Sequence, residues 1–338
     1  MLVTTGALLA VGALVTGCSS SAEGGGAQPT NATVDGNAAE GETVVIGFSG
    51  PAADHGWLGA INSAAIAEGE NFADVDLRVA EGTNDANLQI SQVEQFINDG
   101  VDAIVLLPTD GAALTAVATK AMEAGIPVVN VDREFSSPAA ARTTILGDNY
   151  GMGQSAGNYI CERLGDNPDA VVAEIAGVDS LPLTTERSEG FADALETCGL
   201  DVDNRVAADF TVAGGEAAAS QLLAAAPEID AIWNHDDDQG HGVLSAIDTA
   251  GRDEFFMVGG AGSANAMELI KGGESVLEAT VVYPSTQAAD GVRLARLIAQ
   301  DKAMSDLVEV EVPKRIVLNA PVVTSENVDQ YLPTAFAS

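Results

Sequence analysis

Basic residues are scarce in this sequence: 14 Lys and Arg stand against 50 Asp and Glu, a formal net charge of −36 over 338 residues. So acidic a surface repels phosphate backbones and anionic lipid, which argues against nucleic-acid binding. The acidity reads instead as a solvated shell, tolerable where salt screens it. Aromatic residues are also sparse, at 4%, so Ala, Val, Ile and Leu must fill the cores. An apolar share of 46% suffices for that, and the length suits two lobes better than one. A dinucleotide signature is lacking. Gly47-Phe48-Ser49-Gly50 does not supply G-x-G-x-x-G at the first strand–helix turn, and Gly151-Met152-Gly153 is spaced wrongly, which argues against a dehydrogenase. Histidine is nearly absent. The one cluster resembling a metal site, His235, Asp236, Asp237, Asp238 and His241, lacks the i, i+4 histidine spacing of a helical site. A polar ligand loop, with acids at a helix N-terminus where the dipole favours them, is the simpler reading. No metal, no cofactor and no enzymatic activity are expected.

No long apolar run is present either. Leu2 to Val15 is apolar and rich in small residues, but short for a membrane span. It ends in Val15-Thr16-Gly17-Cys18, a pattern that resembles the bacterial lipobox. Residues 1–17 are therefore expected to be a signal peptide, and Cys18 the acylated first residue of a membrane-anchored, extracytoplasmic lipoprotein. No Lys or Arg precedes the run, as expected if the start codon lies further upstream. Residues 18–42, rich in Ser, Gly, Ala and Asn, read as a flexible tether; the sequon Asn31-Ala32-Thr33 within it reads as chance. The other two cysteines, Cys161 and Cys198, fall late in consecutive predicted helices. Outside the membrane a bridge is permitted, and two buried thiols fit the pattern equally.

From Val44 onward, apolar runs of strand length alternate with segments of helical spacing. Val44 to Phe48, Leu77 to Ala80, Ile104 to Leu107 and Val128 to Val131 are predicted strands. Trp57 to Glu68, Ile90 to Ile97 and Leu114 to Ala121 are predicted helices. The pattern restarts after Asp148, with helices Met152 to Leu164, Arg187 to Cys198, Glu216 to Ala226, Gly242 to Ala250, Ala264 to Lys271 and Thr286 to Gln300. The strands between them run Val171 to Ile175, Val206 to Phe210, Ala231 to Trp233, Phe255 to Val258 and Ala279 to Val282. Continuous apolar strands need cover on both faces, so the expected fold is α/β, two doubly wound parallel-sheet lobes.

Open parallel sheets bind ligands beyond the carboxyl ends of their strands. The residues there are Ser49 to Trp57, Asp132-Arg133, Glu186-Arg187, Asn234 to Asp238 and Tyr283. Carboxylates and guanidinium groups make charge-assisted hydrogen bonds to neighbouring hydroxyls. Aromatic faces cover the C–H face of a ring or polyol. The chemistry suits a sugar-like ligand.

Val128-Val129-Asn130-Val131-Asp132-Arg133, Gly147-Asp148-Asn149 and Arg187-Ser188-Glu189-Gly190-Phe191 resemble the ribose-binding-protein class of type I periplasmic binding proteins. Pro108-Thr109-Asp110 and Ala208-Asp209-Phe210 do so too, over roughly Thr43 to Leu318. The resemblance implies two lobes joined by three crossings, at Asp148 to Asn149, near Tyr283 to Pro284 and near Glu311 to Lys314. The lobes would be residues 43–147 plus 284–312, and 148–283 plus 313–338. It implies ligand contacts at Ser49, Trp57, Asp132, Arg133, Arg187, Phe210 and Asp236, with Tyr283 where the family carries a polar amide and His55 as an added contact. The family's usual carboxylate is missing from Gly259-Gly260-Ala261-Gly262, which turns the expectation from ribose towards another monosaccharide, cyclitol or polyol. A monomer that hands its ligand to an ABC transporter permease is implied. A receptor reporting sugar occupancy to a membrane chemoreceptor or kinase would use the same binding chemistry.

Overall fold

The computed structural model describes residues 37–165, 167–302 and 312–337; Cys18 and most of the expected tether lie outside them. Among the described residues no helix is long and apolar enough to cross a membrane. The first half alternates β1 (Val44–Ser49), α1 (Gly56–Glu70), β2 (Val75–Val79), α2 (Ala86–Asp99), β3 (Ala103–Leu106), α3 (Gly111–Glu123), β4 (Val128–Val131) and β5 (Thr143–Gly147). The second runs α4 (Asn149–Leu164), β6 (Val172–Ala176), α5 (Pro182–Glu196), β7 (Val202–Ala207), α6 (Val212–Ala225), β8 (Ala231–Asn234), α7 (Asp237–Ala250), β9 (Phe256–Ala261), α8 (Ala264–Gly272) and β10 (Leu277–Val282). Then follow α9 (Gln287–Ala299), β11 (Arg315–Leu318), β12 (Val322–Thr324) and a short α10 (Val328–Tyr331).

The sheets have matching orders, β11-β5-β4-β3-β1-β2 and β12-β10-β9-β8-β6-β7. Their pairings are parallel except that of β12 with β10, which is antiparallel. Every residue of β3, β4, β6 and β8 is buried, because helices cover both faces. In each sheet the order reverses beside the first strand, between β1 and β3 and between β6 and β8, and a crevice opens there at the carboxyl ends.

Two of the crossings between sheets fall after Gly147 and after Val282, but the third differs from expectation. β11 pairs with β5 in the first sheet, so the chain passes over after Leu318, not at residues 311–314, and residues 315–318 belong to the first lobe. As an edge strand, β11 alternates exposed and half-buried residues and lacks the continuous apolar run that marks the central strands. The crossings are laced together: the Asp148 amide donates to the Leu318 carbonyl (3.0 Å), and the Val282 amide to that of Pro321 (2.9 Å).

Cys161 on α4 and Cys198 just past α5 form a disulfide, with Cα atoms 5.9 Å apart. In the first lobe, Arg296 on α9 and Asp74 form a buried ion pair at 2.6 Å. Arg296 also donates to the carbonyls of Asn37 and Ala39, which ties down the residues ahead of β1.

Candidate functional site: a cleft between the lobes

Strand-end geometry brings eight of the nine expected ligand residues together. His55, Trp57, Asp132, Arg133, Arg187, Phe210, Asp236 and Tyr283 line one cavity of about 30 Å³, together with Leu183 and Ala261. Ser49 is not among them. It is fully buried at the end of β1, with its hydroxyl donating to Gln92 Oε1 and accepting from Gln89 Nε2. A larger groove of about 540 Å³ flanks the cavity and shares Asp132, Arg133 and Leu183 with it.

From the first lobe, β4 ends by turning Asp132 into the left-handed region at φ 63°. Such a conformation costs an aspartate about 1–3 kcal/mol and clusters at ligand sites. The Arg133 Nη1 donates to the Thr109 carbonyl at 2.8 Å, while its buried Nε has no acceptor. Trp57, in the first turn of α1, is buried and donates through its indole nitrogen to the Tyr283 carbonyl (3.0 Å). His55, at the N-cap, lies 5.7 Å ring to ring from Phe210 of the second lobe.

From the second lobe, Arg187 sits one turn further into its helix than the sequence suggested. Pro182 starts α5, since its fixed φ and missing N–H suit the first helical position. Arg187 is buried, donating Nε to Asn149 Oδ1 (3.0 Å) and Nη1 to the His235 carbonyl (3.2 Å). α7 likewise starts earlier, at Asp237, because Asp236 caps it by accepting from the amides of Asp238 and Gln239. Burial, then the nearby carboxylates of Asp237 and Asp238, raise the Asp236 carboxyl well above its ordinary range. The Phe210 ring lies against Gly177, where a Cβ would come within 2.2 Å of it. Tyr283, on the second crossing, donates its hydroxyl to Asp132 Oδ1 at 2.6 Å. The Arg187 guanidinium lies 4.6 Å from the centre of its ring.

Beneath this face, His235 is enclosed against Trp233, ring centres 4.1 Å apart, and is used by Glu174. Among the described residues no group of three His, Cys, Asp or Glu could hold a metal ion. The cavity thus offers paired hydrogen-bond donors and acceptors from both lobes and three aromatic walls. It presents no nucleophile set against a base.

The periplasmic binding protein domain model matches residues 46–303. The chain belongs to that family. Its members are solute-binding proteins, not enzymes, and its form here is the ribose-binding-like type I fold. The ribose import binding protein of Bacillus subtilis is 33% identical over 63% of this chain and 70% of that protein. An ABC transporter solute binding protein from Bacillus halodurans, solved with bound myo-inositol, is 26% identical with a TM-score of 0.77, covering 86% of this chain and 98% of that one. The fructose binding periplasmic domain of a hybrid two component system is 27% identical, TM-score 0.74, covering 86% and 94%.

Leu183, Ala261 and Asn149 escaped the sequence reading as contributors, whereas Asp238 fell within its strand-end segment Asn234 to Asp238 without being picked out. Asn149 lies two residues past the end of β5 and could have been found by extending that rule; Leu183, in the first turn of α5 and seven residues past β6, could not. Ala261 owes its place to φ 86°, which no sequence pattern announces.

Proposed function

We propose that this protein is the solute-binding component of an ABC importer and closes its two lobes over a monosaccharide or related polyol. The observation that carries the proposal is the convergence on one cavity of Asp132 and Arg133 from one lobe with Arg187 and Asp236 from the other, between Trp57, Phe210 and Tyr283. Carboxyl and guanidinium groups recognise vicinal hydroxyls, and aromatic faces recognise the C–H surface between them. A ligand that touches both lobes only when they are closed shifts the population to the closed state by those differential contacts. The closed pair of lobes would then be the surface a permease reads. Acylation at Cys18 would hold a monomer at the outer face of the cell membrane, beside its permease.

The likeness to a fructose binding domain of a two component system supports a second reading, in which the closed form signals to a membrane receptor. A thermal-shift screen over pentoses, hexoses, cyclitols and polyols tests the ligand class, because ligand raises stability as ln(1 + [L]/Kd). A response confined to amino acids or peptides would overturn it. Co-purification with a permease or with a membrane receptor separates transport from signalling, and mass spectrometry of the mature N-terminus tests the anchor.

A further inference from the structure

Tyr283 enters the cleft from the crossing that follows β10. Its amide donates to the Ala261 carbonyl (3.0 Å), and its carbonyl accepts from the Trp57 indole (3.0 Å). The ring lies against Gly147, where a Cβ would come within 2.0 Å of it. Gly147 ends β5 and Val282 ends β10, so the seat belongs to two of the crossing strands about which the lobes turn. The Arg187 guanidinium lies over the ring, 4.6 Å from its centre, and the hydroxyl holds Asp132 Oδ1. The phenol therefore stands where part of a larger ligand would stand, and takes one of the two oxygens that a ligand diol would use. What remains is a cavity of about 30 Å³, room for roughly two waters before the lobes adjust.

We infer that Tyr283 is a specificity residue that limits ligand size, so that the cleft selects pentose-sized and smaller sugars and polyols over hexoses and cyclitols. This rests on the cleft being a sugar or polyol site. Arg133 Nε, buried, 3.8 Å from Asp132 Oδ2 and without a hydrogen-bond acceptor, is the donor such a short ligand meets beside Asp132, and Trp57 and Phe210 close over its carbon chain. Any sugar exceeds the free volume of about 30 Å³, so the lobes must part around the ring, and further for a hexose or inositol than for a pentose.

Calorimetric titration of the full chain with glycerol, erythritol, xylitol, ribose and arabinose against glucose, galactose and myo-inositol tests this. The wild type is expected to bind at least one of the shorter ligands about tenfold or more tighter than any of the larger three, the discrimination a well-formed pocket reaches for one carbon unit. Tyr283→Ala and Tyr283→Gln should each shrink that ratio by about tenfold. Tyr283→Phe, which keeps the ring and loses the hydroxyl, should preserve the size order. Melting curves establish that each variant folds, and Tyr283→Gln carries the test if Tyr283→Ala does not. A wild type that binds a larger ligand at least as tightly as the shorter ones overturns the inference, as does an unchanged ratio in the folded smaller variants. Binding of none of these compounds by the wild type overturns the sugar-site reading itself, and the inference falls with it.

Discussion

Nε2 of His235 lies 2.9 Å from Oε1 of Glu174, with both side chains buried. The other ring nitrogen accepts from the Gly177 amide at 3.3 Å, which requires a neutral imidazole donating from Nε2. The same backbone presents the His235 carbonyl to Arg187 and leads into Asp236, so the pair lies directly behind the second lobe's side of the cleft.

That arrangement makes stability sensitive to acid. Burial lowers the His235 pKa from 6.5 to about 4, against the raising influence of Glu174 and with Arg187 and Arg205 adding to the depression. Above pH 6.5 folded and unfolded chains are both neutral here, and the contribution is complete. Between about pH 6.5 and 4 the unfolded chain takes up the proton and the folded one does not, so stability falls as pH falls, by up to roughly 1 kcal/mol per pH unit. Denaturant melts from pH 7.5 to 4.5 should show this slope, and His235→Gln should flatten it relative to wild type. Parallel slopes for the two proteins would refute it.

Asp132→Ala and Arg187→Ala should each weaken ligand binding by about tenfold or more, since each truncation leaves buried partners unpaired. Removing Asp132 leaves the Tyr283 hydroxyl proton without its acceptor. Removing Arg187 strands Asn149 Oδ1 and the His235 carbonyl. Titration calorimetry decides, and wild-type affinity in both variants would remove these residues from the site.

Across the cleft, the Gly56 amide at the start of α1 donates to the Asp238 carboxylate at the start of α7. This hydrogen bond joins the lobes only when they are closed. Asp238→Ala should therefore weaken affinity by about three- to tenfold by disfavouring closure, and small-angle scattering should show a more open ensemble. Asp238→Asn, which keeps an acceptor, should lose less. Equal losses in the two variants would assign the effect to charge instead of the bond.

The disulfide ties α4 to the end of α5 across a sequence separation of 37 residues. Chain-entropy arguments give such a crosslink about 3–4 kcal/mol. Cys161→Ser with Cys198→Ser, or full reduction, should lower the melting temperature by several degrees while leaving the ligand cavity intact, because neither cysteine lines it. An unchanged melting temperature after verified reduction would contradict this.

The alternation of buried apolar strands with helical segments was legible because each strand covered on both faces must be apolar throughout, as Ala103–Leu106 and Val128–Val131 are. The rule that parallel sheets bind at their carboxyl ends then pointed to Asp132-Arg133, Glu186-Arg187, Asn234 to Asp238 and Tyr283, and the family resemblance narrowed these to single residues such as Arg187 and Asp236. β11 was not legible: an edge strand is half exposed, and the apolar run that betrays a central strand is missing from Arg315–Leu318. The cysteines were compatible with bridge or thiols until the packing of α4 on α5 brought their Cα atoms to 5.9 Å. Ser49 shows the opposite limit. Its position at a strand end was correct, yet which neighbour takes its hydroxyl depends on Gln89 and Gln92, forty residues on in the chain. Sequence determined the layers and the strand ends, because periodicity and burial are local properties. Tertiary structure alone decided which strand-end side chains face the cleft and that the Tyr283 ring fills the space over Gly147, because those are meetings between residues far apart along the chain.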